Sequence, residues 1–172
     1  GKRFEKKFAK LKPLALSIAM TRLSLKENVK FYDIELLKLA KQNGLIAYSL
    51  EEIEREAAAL NAFAMKDQVH ALMHSVNNFS EQRAEYLELE KAFAKGDIDR
   101  VFELTVHPFE NNPQFIEEFY NKRNREWIPK ITDMMKQQSA FVALGVAHLE
   151  GPDGVLELLR KNGFTLAPVK LN

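Results

Sequence analysis

The chain contains no cysteine, which removes disulfides, thiolate metal sites and cysteine nucleophiles at once. That absence leaves the compartment open, because a secreted protein need not carry a disulfide. Glycine is scarce too: there are seven, and none falls into the Gly-x-Gly-x-x-Gly spacing of a loop that cradles phosphates. No apolar run approaches the roughly 18–20 residues of a membrane span. No repeat, low-complexity stretch or secretory leader is visible. The first residue is Gly rather than Met, as expected of a trimmed or processed piece. A formal charge of +1 gives the chain as a whole no electrostatic case for nucleic acid or a membrane. Basic residues do cluster in GKRFEKKFAKLK, but Phe4, Phe8 and Leu11 recur there at helical spacing. That pattern predicts a solvated face on an amphipathic helix.

What is present suits one domain with a real core. The chain has 172 residues, of which 46% are apolar and 28% charged, ordinary values for a globular protein. Most of it reads as helix. LALSIAMTRL (14–23) is apolar on most sides and predicts a buried helix behind Pro13. Asp33 is placed to cap IELLKLAKQN, whose Ile34, Leu37 and Ala40 form a stripe, with Gly44 as its terminator. Ser49 and Glu52 have capping-box spacing before a helix through Ala64. Residues 66–78 put Val69, Leu72, Met73 and Val76 on one face. Ser80 and Asp97 are candidate caps for helices ending at Gly96 and near His107. Asn112 with Pro113 opens another, and Pro129 is expected to kink or split it.

The C-terminal thirty residues break this pattern. FVALGV (141–146) is the continuous apolar run of a strand buried on both faces. A helix over 152–162 follows, with Val155, Leu156, Leu158 and Leu159 inward, and then FTLAPV (164–169) alternates as a strand would. LIAYS (45–49) is a further strand candidate. Strand, helix, strand implies a parallel pair with a right-handed crossover. The predicted class is therefore α/β (α+β): mainly helical, with a small, mostly parallel sheet. Residues 13–138 would form the helical region and 139–172 the strand-helix-strand unit. Two parallel strands do not cover themselves, so a further strand, from another segment or a second copy, is expected beside them.

The chemistry-bearing residues are few. Only four histidines are present, and His148 stands three residues after Gly145, just past the carboxyl end of the most apolar run. Ligands bind at that end of strands in open α/β sheets, glycine admits close backbone approach, and histidine serves as a metal ligand or general base near neutral pH. The competing role is a half-buried histidine that caps a turn. His70 and His74 share one helix face at metal-ligand spacing. Ala-Leu-Met stands between them, so the glutamate of a His-Glu-x-x-His protease is lacking and a solvated pair is expected. His107, before Pro108, suits a helix end. Phe119, Tyr120 and Trp127 near Arg123 and Arg125 could line a groove, but aromatics at helical spacing are usually core.

The run FVALGVAHLEGPDGVLELLRKNGFTLAPV resembles the C-terminal signature of the TraB/GumN family, which includes PrgY and Tiki proteins. Gly145, His148, Leu149, Gly151, Gly154, Gly163-Phe164 and Pro168-Val169 carry the likeness in order. RNREWIPKI (123–131) resembles the family's Arg-Asn segment. DIELLKLAKQNGLIAYSLEE (33–52) resembles a segment ending in a Leu-Glu pair, here Leu50-Glu51; the Thr and Gln that usually follow are replaced by Glu52 and Glu54. Together the likenesses run from about Pro13 to the end.

The resemblance implies a metal-dependent, peptidase-like hydrolase of an extracytoplasmic, periplasmic bacterial setting, acting on a peptide or small-molecule substrate. His148 would be a metal ligand or base, with Gly145 at the cofactor. Arg123 would be an electrophilic helper, and the divalent ion would be manganese, cobalt or zinc. The family's pattern also has a first Gly-x-x-His and a glutamate near it. Gly145 to His148 is the sole such spacing in this chain, so by the resemblance it is the C-terminal part of a larger domain, inactive alone. Arg123 has a plainer alternative as an ion-pair partner of Glu117, Glu118 or Glu126. The reading from another functional class is a non-catalytic helical module whose residues 50–138 offer a groove to a peptide or protein.

Overall fold

A computed structural model describes residues 8–24, 30–106 and 112–169. Its helices are α1 (Pro13–Ser24), α2 (Tyr32–Gln42), α3 (Ile53–Asn61), α4 (Met65–Asn77), α5 (Phe79–Lys95), α6 (Ile98–Val106), α7 (Pro113–Ile116), α8 (Lys122–Gln137) and α9 (Val155–Lys161). A widened π turn, Glu117–Asn121, joins α7 to α8, and a 3-10 turn, Val146–His148, precedes α9. Several helix signals act as the sequence implies. The Asn112 side chain accepts the Phe115 amide at 3.0 Å, Asp97 accepts the Arg100 amide at 3.1 Å, and Gly44, Gly96 and Gly163 end helices with positive φ. Asp33 lies inside α2, Ser80 lies inside α5, and Glu52 rather than Ser49 stands at the start of α3.

The expected sheet is absent. Helices make up 70% of the described residues, and none of the rest forms a strand, so the described chain is all-α rather than α/β. The alternation that suggested strands is real. Val142 and Leu144, like Phe164 and Leu166, turn toward the helical core, while Phe141, Ala143, Thr165 and Ala167 face out. A strand, however, also requires a backbone ladder. No backbone hydrogen bond joins residues 45–49, 141–146 and 164–169 to one another. These segments are extended coil lying on helices. Pro129 also departs from expectation, because α8 runs through it unbroken. Its ring sits on the exposed side of the helix, and the local irregularity falls upstream in the π turn.

Two compact units are distinguished: residues 1–47 with 63–88, and residues 48–62 with 89–172. In the second, α9 lies on α8, α3 packs on the π turn, and α6 packs on the 3-10 turn. Trp127, Ile128, Ile131, Val155 and Leu159 form its core, closed at the side by Leu50, Val142, Leu144, Phe164 and Leu166. Burial on α8 recurs at Arg123, Asn124, Trp127, Ile128, Ile131 and Thr132, the spacing of a single helix face. In the first unit α1 packs on α4. The Gln68 side chain accepts the Leu14 amide at 3.3 Å and donates to the Phe63 carbonyl at 2.7 Å.

Candidate functional site

One face of α8 and the 3-10 turn bring together the residues with chemical potential. The π turn places Tyr120 and then Arg123 inward, on the same side as Phe115. Phe115 and Phe119 stack at 5.0 Å. The Arg123 guanidinium lies between two rings, 4.9 Å from Phe119 and 5.0 Å from Trp127. With only 5% of its surface exposed, this cation needs a partner. Glu51 provides it: Arg123 Nη2 donates to Glu51 Oε1 at 2.5 Å and Nε donates to Oε2 at 3.1 Å. Nη1 donates to the Phe119 carbonyl at 3.0 Å. Trp127 Nε1 donates to the same carboxylate at 3.1 Å. Burial pushes the Glu51 carboxyl up, but the bonds and charge of Arg123, with the Trp127 bond, prevail and hold it below the usual carboxylate range. None of Glu117, Glu118 and Glu126 pairs with Arg123; they bond instead to Arg125, Lys122 and Arg55.

His148 is set beside this pair. Its ring lies 4.7 Å from that of Trp127 and 5.1 Å from that of Tyr120. Asn124 fixes its orientation. Asn124 Nδ2 donates to the carbonyls of His148 at 3.3 Å and Asp153 at 2.8 Å, which uses both amide protons. Asn124 Oδ1, 2.6 Å from His148 Nδ1, must then accept, so the ring proton is assigned to Nδ1. The lone pair is left on Nε2. No buried side-chain nitrogen or oxygen is without a partner among the described residues. Nε2 bonds to none of them and therefore reaches the surface. Burial, then the charge of Arg123, lowers the His148 pKa from 6.5 to about 4, against the opposing pull of Glu51. The imidazole is neutral at pH 7. Burial likewise pushes the Tyr120 phenol up to about 12, with Arg123 opposing.

The loop after His148 is built to hold this position. Arg125 Nη1 reaches Asp153 at 3.1 Å. A Cβ on Gly154 would stand 2.4 Å from the Glu150 carbonyl oxygen, a distance no side chain tolerates, so the loop requires glycine there. Gly145 is different. It begins the 3-10 turn, its carbonyl accepts the His148 amide at 2.9 Å, and an added Cβ would meet only the His148 ring at 3.5 Å.

A model of the TraB/PrgY/gumN family matches residues 2–168. The chain belongs to that family. No curated protein and no solved structure matches it. Of the residues singled out in the sequence, the fold of this family member joins Arg123, Gly145 and His148 in one unit, with Glu51 from the Leu50-Glu51 pair. His70 and His74 are exposed on α4 in the other unit, and His107 lies outside the described residues. Sequence reasoning missed Asn124 and Trp127 as site residues. Their signal was the position of both inside RNREW, one and four residues after Arg123.

The described donors do not by themselves complete a metal centre. Among the described residues no three His, Asp or Glu side chains converge. Glu51 is committed to Arg123 and Trp127. His148 Nε2 alone has the form of a ligand: a neutral imidazole whose other nitrogen donates to an amide oxygen.

Proposed function

We propose that this TraB-family chain contributes to a metal-dependent, peptidase-like hydrolase, with His148 as the residue that meets the reacting centre. The observation that carries the reading is the Nε2 lone pair, fixed in tautomer by Asn124 and neutral at pH 7. Such a nitrogen binds a cation without first losing a proton, whereas its lowered pKa makes it a weak proton acceptor. Arg123 and Glu51 act as positioning residues: their buried pair sets a fixed charge environment beside the imidazole, and Trp127 packs between carboxylate and ring. Gly145 leaves the approach to His148 open.

His148 contributes one donor to a site for manganese, cobalt or zinc that the described residues do not complete, since a catalytic metal usually takes three protein ligands. In this reading the chain alone hydrolyses peptides weakly or not at all. Thermal melts test it: millimolar manganese or cobalt raises the melting temperature of the wild type and not of His148→Ala. An unchanged wild-type melting temperature, or peptidase activity that survives His148→Ala, overturns the reading.

A second reading, an interaction module without catalysis, is favoured by one observation. α4 turns Met65, Val69, Met73 and Val76 outward, the exposed apolar patch among the middle helices that such a module needs.

A further inference from the structure

The first unit is inverted relative to an ordinary helical pair. On α4 the residues turned inward are Gln68 and Ser75, while Met65, Val69, Met73 and Val76 are 55%, 41%, 48% and 50% exposed. These four lie within an arc of about 80° on a helix of 3.6 residues per turn. Lys66, Asn77, His70 and His74 border the stripe, and no acidic residue lies on this exposed arc. α2 repeats the theme: Ile34 and Leu37 are half exposed, and Lys38 and Lys41 share their side of the helix.

Charge is divided in the same way. The first unit carries thirteen Lys and Arg against eight Asp and Glu, a net +5, and the second twelve against sixteen, a net −4. The overall +1 hides this division. Exposed apolar stripes with Lys66 beside that of α4, and Lys41 and the Glu35-paired Lys38 beside that of α2, on a unit of net positive charge match the two attractions of an interfacial helix, apolar burial at the headgroup boundary and attraction to anionic lipid. A second copy of the same unit would instead bring two like net charges together. Nucleic acid would leave the Met and Val side chains in water. No helix among the described residues is long and apolar enough to cross a membrane, so contact would be with the surface.

We propose that the first unit binds the surface of an anionic lipid bilayer through the apolar stripe of α4, supported by the lysines of the unit. This holds independently of any hydrolytic chemistry at His148. The test is co-sedimentation of the full chain with vesicles of phosphatidylcholine and phosphatidylglycerol in equal parts, against vesicles of phosphatidylcholine alone. The protein partitions onto the anionic vesicles at least about tenfold more strongly, and added salt weakens that binding. Val69→Asp combined with Met73→Asp lowers it by about tenfold or more. Ile53→Asp, at a more exposed apolar position on the second unit, leaves it unchanged. All three positions are exposed, and circular dichroism confirms that the variants are folded. Equal binding to both vesicle types, no binding to either, or undiminished binding by the double variant overturns the proposal. So does self-association without lipid that the double variant abolishes, which would assign the stripe to a second copy.

Discussion

The two units solve the same problem, burying a helical face, in opposite ways. The second unit buries eleven apolar side chains, from Ala59 to Leu159, while in the first Phe63 is the sole apolar residue fully buried among those described. In the second unit α8 turns its polar residues inward only where each is bonded, Arg123 to Glu51 and Asn124 to His148. In the first, Gln68 and Ser75 are bonded too, but the apolar stripe of the same helix is left in water. A closed core around a bonded polar cluster is the arrangement of a site. An open stripe is that of a surface still to be covered.

The contrast is broken most severely at the buried ion pair. Glu51→Ala leaves the Arg123 cation desolvated between Phe119 and Trp127, and we expect a loss of about 3–5 kcal/mol. Trp127 is the only tryptophan and lies in the second unit, so its fluorescence during urea unfolding reports that unit. Replacing both partners, Glu51→Leu with Arg123→Met, restores most of the loss, because no lone charge remains.

Acidification ranks next. The His148 pKa is lowered from 6.5 to about 4 in the folded state, so between those values the unfolded chain binds the extra proton. The stability contributed by the neutral ring is complete above pH 6.5, falls as pH drops, and is lost by about pH 4. At 1.36 kcal/mol per pH unit it amounts to about 3 kcal/mol. His148→Phe flattens that part of the profile. Asn124→Ala follows, at about 1–3 kcal/mol, since it leaves a buried ring nitrogen and a buried carbonyl without their partner. At the small end, Met73→Asp on the open stripe changes stability by no more than about 0.5 kcal/mol. A loss of several kcal/mol there would mean that the stripe is core after all.

Much of this was legible in the chain. Asn112-Pro113, Asp97 and the helix-ending glycines announce their elements because each satisfies local backbone groups. The family shows in the ordered spacing from Gly145 to Val169. The sheet was misread for a physical reason. Alternation at Val142, Leu144, Phe164 and Leu166 reports which side chains are covered, and α8 and α9 cover them as well as a sheet would. Pairing is a separate, non-local condition. Distance in sequence also hid half the site: Arg123 and Glu51 stand 72 residues apart. Spacing on one helix pointed to Glu117, Glu118 or Glu126 instead. On α4 the pattern grouped Val69, Leu72, Met73 and Val76; Leu72 is half-buried and the other three are exposed, because periodicity does not say whether a face turns in or out.

The proposed hydrolytic role rests on the state of one ring. The ¹⁵N resonances of His148, followed from pH 7 down through pH 4, test it most directly. The geometry predicts a proton on Nδ1, a bare Nε2 and no titration until about pH 4. A proton on Nε2, or titration near 6.5, would show an ordinary histidine and would contradict the assignment of His148 as the reactive residue of this site.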